Sequence, residues 1–305
     1  MGWKRCYGAS NDNMAMTIPS GIHRTARPSI GAVFVLLLSG CGRLDSLLMQ
    51  PKTTAVQWCE GMPCVELLST GIILNQPLSS LLVYLLGLMW LWAGLRFWLA
   101  GAGQISKHWW CLSLILGGLA AISAGTSYQA FGYELKCVGR DFCLWTNGWE
   151  VTYMILQGGS FNAMLVAVAY SCTVNNLRRG LIIYAALNFM AYFTIIILGV
   201  LAADTFLLSF ELLVLFVTPT MLIVAFINSW RYLKHRQPLD LALLGSWALL
   251  AVSNAAYYAY LSLGYTQRLW EHGIWFSEND VLHILVACWV AYVAWVLVAK
   301  VADMR

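Results

Sequence analysis

The chain has 305 residues, 60% of them hydrophobic and only 10% charged. A water-soluble domain carries roughly a quarter charged residues and cannot absorb that much apolar surface, so the soluble classes are excluded. The net charge of +4 comes from basic residues spread over short connections, which argues against a nucleic-acid-binding surface and makes them reporters of membrane topology instead.

Residues 1–29 are polar and include Lys4, Arg5, Arg24 and Arg27; they lead into the apolar run Ile30 to Leu38. That run is too short to span a bilayer, which needs about 20 apolar residues, and it suits the apolar region of a signal peptide. It ends in Leu38-Ser39-Gly40-Cys41, which resembles the bacterial lipobox, a motif whose Cys is lipidated and becomes the first residue of the mature chain. On this reading residues 1–40 are a signal peptide, 41–76 an extracytoplasmic segment and 77–305 a transmembrane domain.

Seven apolar windows then follow: Leu78–Leu99, Trp109–Gln129, Glu150–Tyr170, Leu181–Leu201, Thr205–Ser229, Leu239–Leu263 and Asp280–Lys300. The expected fold is therefore all-α, a polytopic bundle of seven transmembrane helices. With the first window entered from outside, the cytoplasmic connections hold Arg96, Lys107, Arg178, Arg179, Arg231, Lys234, Arg236, Lys300 and Arg305, against Arg43, Lys52, Lys136, Arg140 and Arg268 outside. The excess predicts N-out, C-in. Trp109-Trp110, Trp145, Trp149, Trp270 and Trp275 fall near window ends and read as interfacial anchors.

Cys59, Cys64, Cys137 and Cys143 fall on the outer, oxidising side, where disulfides persist. Four cysteines allow three pairings; the local pairs Cys137–Cys143 and Cys59–Cys64 are favoured, with crossed pairs left open.

Ionisable residues in a membrane helix are costly, so each marks a site or a buried pair. Here they gather toward the outer end. Gln129 closes the second window, Glu150 opens the third, and Asp280 and His283 lie three apart at the start of the seventh, on one face. Gln157, Glu211 and Asn254 sit deeper; at about 1.5 Å per residue, Glu211 is expected roughly 9 Å and Asn254 roughly 14 Å below the outer ends of their helices. For Glu150 and Asp280, capping of a helix N-terminus is the alternative role. For Gln129, Gln157 and Asn254 it is interhelical hydrogen bonding.

Trp58-Cys59-Glu60, followed by Asn75-Gln76-Pro77-Leu78-Ser79, resembles the opening of the alkaline ceramidases and their bacterial relatives, members of the seven-helix CREST superfamily. Gly125-Thr126-Ser127-Tyr128-Gln129 stands where that superfamily has Ser-x-x-x-His, Glu150 where it has an Asp, and Asn279-Asp280-Val281-Leu282-His283 where it has His-x-x-x-His. The resemblance implies a zinc ion held by three histidines and activating water against a lipid amide. Gln129 and Asn279 replace two of those ligands; amides bind zinc poorly, and only His283 remains. A substitute metal site would draw on His283, Asp280, Glu150 and His272, and a calcium site on Glu60 with Glu66 and nearby carbonyls.

Two functions stay open on this reading: a divergent lipid amide hydrolase with Glu150, Glu211 or His283 as acid–base groups, and a non-catalytic scaffold that binds a lipid or small ligand at the same polar layer. A transporter is a weaker third reading, since no inverted repeat is evident and Pro219 is the one mid-helix proline. The implied partners are membrane lipids and the implied location is a bacterial inner membrane.

Overall fold

The structure is a computed structural model that describes residues 42–304. The signal-like segment and the lipobox cysteine Cys41 lie outside the described residues.

The segment before the first long helix is short and polar, and its elements are fixed by local chemistry. Helix α1 (Ala55–Glu60) starts at Thr54, which exchanges hydrogen bonds with Gln57 in a capping box. Strands β1 (Cys64–Glu66) and β2 (Ile73–Asn75) pair antiparallel, with Val65 opposite Leu74. Disulfides join Cys59 to Cys64 and Cys137 to Cys143, the local pairing the sequence favours. Trp58 is buried against the second of these. Backbone bonds from Cys143 to Thr53, from Met49 to Cys143 and from Trp145 to Leu47 stitch this segment to residues 131–147. The two stretches thus form one cap over one end of the bundle, here termed the disulfide end.

Seven helices are long and apolar enough to cross a membrane. They are α2 (Pro77–Leu99), α3 (Ile105–Ala124, followed by a π-helical turn Gly125–Ala130), α5 (Gly148–Cys172), α6 (Asn175–Ala202), α7 (Phe210–His235), α8 (Pro238–Ser262) and α10 (Glu278–Tyr292, followed by a second π turn and Val298–Lys300). The short helices α4 (Gly132–Lys136) and α9 (Tyr265–Glu271) belong to connections at the disulfide end. The chain is therefore a multi-pass integral membrane protein, as its composition requires.

Helices α2, α3, α5, α7, α8 and α10 pack in succession, α10 returning to α2 to close a ring, while α6 packs outside against α5 and α7. Helix α5 is the most enclosed, and α6 and α7 show most of their surface to the surroundings. Leu81, Leu85, Leu88, Leu215, Leu222 and Phe226 project outward, a distribution that lipid tails tolerate and water does not.

Helices α2 and α3 approach closely because both carry glycine at the contact. A Cβ on Gly118 would stand 2.9 Å from the Gly87 carbonyl oxygen, and one on Gly117 only 1.9 Å from the Trp90 ring. That approach seats Trp90 on Trp289 at 5.1 Å between ring centroids, and Phe97 on Trp110 at 5.7 Å. Trp110 therefore departs from its expected role as an interfacial anchor. It has no exposed surface and stacks at 6.3 Å on Trp247, because α3 begins four residues before the sequence window and carries Trp110 into the bundle.

Other boundaries also move. Ser209 caps α7, its hydroxyl accepting from the Leu212 N–H, so the helix starts at Phe210 rather than Thr205 and continues through Arg231 and Lys234 to His235. Residues assigned to a connection thus become the last turns of a helix.

Candidate functional site

The polar residues at the disulfide end divide into two groups, and the first is held together by charge. Asn147 caps α5, accepting from the N–H groups of Trp149 and Glu150, and this turns Glu150 inward, where it is 2% exposed. There it forms an ion pair with Lys136 of α4, itself 4% exposed. Ser127 Oγ donates to Glu150 Oε1 at 2.7 Å and accepts from Asn147 Nδ2 at 2.7 Å. Lys136 Nζ also donates to the Trp145 carbonyl at 3.0 Å and lies 5.1 Å from the Tyr128 ring centroid. The proposed acid–base residue Glu150 is thus ion-paired to a lysine and hydrogen-bonded to Ser127, and so joined to two neighbouring elements.

Lys136 carried no signal in the sequence beyond one positive charge beside Cys137. Its burial follows from Leu144, whose backbone N–H bonds to the Lys136 carbonyl and draws the 137–143 disulfide loop back over the side chain.

The second group lies at the start of α10. Ser277 and Asp280 form a capping box: Asp280 Oδ2 accepts from Ser277 N at 2.6 Å and from Ser277 Oγ at 3.1 Å. Ser79 at the start of α2 stands 3.3 Å from the same Ser277 hydroxyl. Asp280 has no exposed surface, yet among the described residues its Oδ1 has no hydrogen-bond partner; nor has Nδ1 of His283, one turn further on and also buried. The Tyr260 hydroxyl of α8 is a third such atom.

The remaining expected residues are dispersed. Gln129 is buried on the π turn that widens the end of α3, with Oε1 unpartnered. Gln157 and Asn279 are half-buried. Asn254 is exposed and donates to the Leu250 carbonyl of its own helix at 2.9 Å, so no interhelical bond forms there. Glu211 is not deep in its helix. Since α7 starts at Phe210, Glu211 is the second helical residue and lies exposed beside a shallow hollow of about 310 Å³ lined also by Gln50, Trp145 and Phe206.

Zinc and calcium, the metals the family resemblance implies, do not fit the donors present. Among the described residues no three His, Cys, Asp or Glu side chains converge. His272 is exposed with Nδ1 2.7 Å from the Arg268 carbonyl, and Glu150 is taken by Lys136 and Ser127. Glu60 is exposed at the end of α1, and Glu66 accepts from the Gly71 N–H across the β-hairpin. That leaves His283 and Asp280, too few for a three-ligand centre.

A third polar cluster, which sequence reasoning missed, lies at the opposite end of the bundle. Asp240 in the first turn of α8 is fully buried; its Oδ1 accepts from Arg231 Nε of α7 at 2.9 Å and from Asn228 Nδ2 at 3.3 Å. Arg231 also donates to the Cys172 carbonyl at 2.7 Å, and Trp247 Nε1 to Asn228 Oδ1 at 2.9 Å. The C-terminal residues close over this end. Asp303 accepts from the backbone N–H groups of Ile105 and Ser106, both at 2.7 Å, and so caps α3. Burial pushes its carboxyl up, but the bonds from Ser106 and Ile105 and the Arg178 charge outweigh this and leave it below the usual range. Asn228 and Asp240 within apolar windows were the available sequence signal for this cluster.

Comparison with family models, with curated proteins and with solved structures finds no match. What the fold and its polar residues define is an integral membrane protein with seven apolar helices among the described residues and with buried, unpartnered polar atoms at its disulfide end as well as elsewhere in the bundle.

Proposed function

We propose that the chain is a non-catalytic, ligand-binding membrane protein of ceramidase-like architecture, whose site lies at the disulfide ends of α8 and α10. Buried polar atoms without partners among the described residues occur along the bundle, Asp240 Oδ2 among them; the observation that carries this reading is that three, Asp280 Oδ1, His283 Nδ1 and Tyr260 OH, fall at the disulfide ends of α8 and α10. An unsatisfied buried polar group costs about 1–3 kcal/mol, so a bundle that keeps several close to one helix end gains by holding a partner molecule there. Of the groups the sequence offers for hydrolysis, Glu150 is ion-paired to Lys136, Glu211 lies exposed at the start of α7, and the donors around His283 are too few for zinc.

The test is native mass spectrometry of the protein extracted with its lipids, combined with metal analysis. Wild-type protein is expected to retain a bound molecule that Asp280→Asn and His283→Ala lose, with no stoichiometric zinc. Stoichiometric zinc, lost on His283→Ala, would return the chain to the metallohydrolases.

In the same proposal the chain is a divergent relative of the alkaline ceramidases in a bacterial inner membrane, disulfide end outside. Support comes from the two disulfides gathered at one end and from the basic residues favouring the other. Cys41 is then the site of lipid attachment. Cys41→Ser should remove a lipid-sized increment from the intact mass, and an unchanged mass would rule the lipobox out.

A further inference from the structure

The ligand-binding reading leaves the chemistry of the ligand open, but the groups around Asp280 narrow it. Three ion pairs form among the described residues, Lys136–Glu150, Arg140–Asp45 and Arg231–Asp240, and none includes Asp280. A carboxylate with no exposed surface therefore stands without a basic partner, its Oδ2 held by Ser277 and its Oδ1 by nothing. The N-terminus of α10 supplies no donor to Oδ1.

Aromatic rings stand beside it. Tyr260 packs on Phe276, the neighbour of the Ser277 that bonds Asp280, at 6.1 Å between ring centroids, and on Tyr265 at 5.3 Å. Glu278 adds a second carboxylate, bonded to the Thr266 hydroxyl. On the outer side Arg268 sits 5.9 Å from the Tyr265 centroid, so this aromatic group already receives one cation on its exposed edge. Arg268 forms no ion pair with Asp280 or Glu278. His283 offers an unpartnered ring nitrogen one turn below Asp280.

Acceptor oxygens together with ring faces select positive charge carried on N–H donors. An anionic headgroup would meet two carboxylates, and a ligand with acceptors alone would leave Asp280 Oδ1 unsatisfied. We propose that this site binds the ammonium group of an amine, with the nitrogen donating to Asp280 Oδ1 and His283 Nδ1 against the Tyr260 ring. The proposal rests on the ligand-binding reading above. An amine-bearing lipid and a free small amine share this chemistry.

The experiment titrates the purified full-length protein in neutral detergent with three probes: dodecylammonium, its neutral counterpart N-dodecylacetamide, and ethanolamine. Dodecylammonium should bind saturably and about tenfold or more tighter than the acetamide. Asp280→Asn should remove that preference while leaving the acetamide unchanged, and Tyr260→Leu should weaken dodecylammonium about tenfold where Tyr260→Phe does not. Ethanolamine binding as tightly as dodecylammonium assigns the site to soluble amines; binding by the long-chain probe alone assigns it to lipids. Should Asp280→Asn not fold, the Tyr260 pair decides the matter. Equal binding of ammonium and acetamide, insensitive to these substitutions, overturns the ammonium assignment and leaves the ligand-binding reading intact. Absence of saturable binding by every probe also overturns the assignment, and the ligand-binding reading is then decided separately by the mass-spectrometric experiment.

Discussion

Lys136→Met is expected to cost the folded protein about 3–5 kcal/mol. The methionine keeps most of the side-chain volume but removes the cation paired with Glu150, which is 2% exposed. The same change deletes the bond to the Trp145 carbonyl and the cation over the Tyr128 ring, so α4 loses its tie to the start of α5. Lys136→Met combined with Glu150→Gln should recover most of the loss, because the cost arises from an unpaired buried charge rather than from a missing contact. Thermal denaturation of the detergent-solubilised protein measures both. A Lys136→Met protein as stable as wild type would mean that water reaches the pair and that Glu150 is available for chemistry after all.

At the opposite end, Arg231→Met should cost about 3–5 kcal/mol and Asp240→Asn only about 1–3 kcal/mol, although both break one ion pair. The asymmetry follows from exposure. Asp240 is fully enclosed, so without Arg231 its charge is stranded between α7 and α8. Arg231 keeps its bond to the Cys172 carbonyl, and its side chain, 15% exposed, is able to extend toward water when the carboxylate is lost. Asparagine also keeps an acceptor for Asn228. Melting curves of the two variants test the order; equal losses would show that the pair is not shielded from solvent. The substitutions lie far along the helices from Asp280, so ligand retention per folded molecule should be unchanged.

The number and approximate position of the spanning helices were legible because a bilayer imposes a one-dimensional rule: each crossing needs a long apolar run, whatever its neighbours are. The cysteine pairing was legible for a similar reason, since cysteines five and six residues apart are already close along the chain. Helix ends were less so. Hydropathy does not register the Ser209 cap that starts α7 late, nor that Arg231 and Lys234 continue the helix beyond its apolar stretch. The depth expected for Glu211 failed with that boundary.

Which polar residues serve structure and which stay free was not in the sequence at all. Glu150, Asp240 and Asp280 each open a helix, and each invites the same argument about caps and dipoles. Lys136 reaches Glu150 because a disulfide loop folds back over it, and Arg231 reaches Asp240 because α7 and α8 lie side by side. Among the described residues no ion pair includes Asp280.

By itself, then, the sequence determined that this is a seven-helix membrane protein with its polar groups near helix ends, since solvation by lipid acts on each segment separately. Only the tertiary structure decided that Glu150 is paired with Lys136 and that Asp280 Oδ1 and His283 Nδ1 are left without partners among the described residues. Pairing depends on which side chains from distant segments meet at about 3 Å, and on the exclusion of water that makes an unmet partner costly.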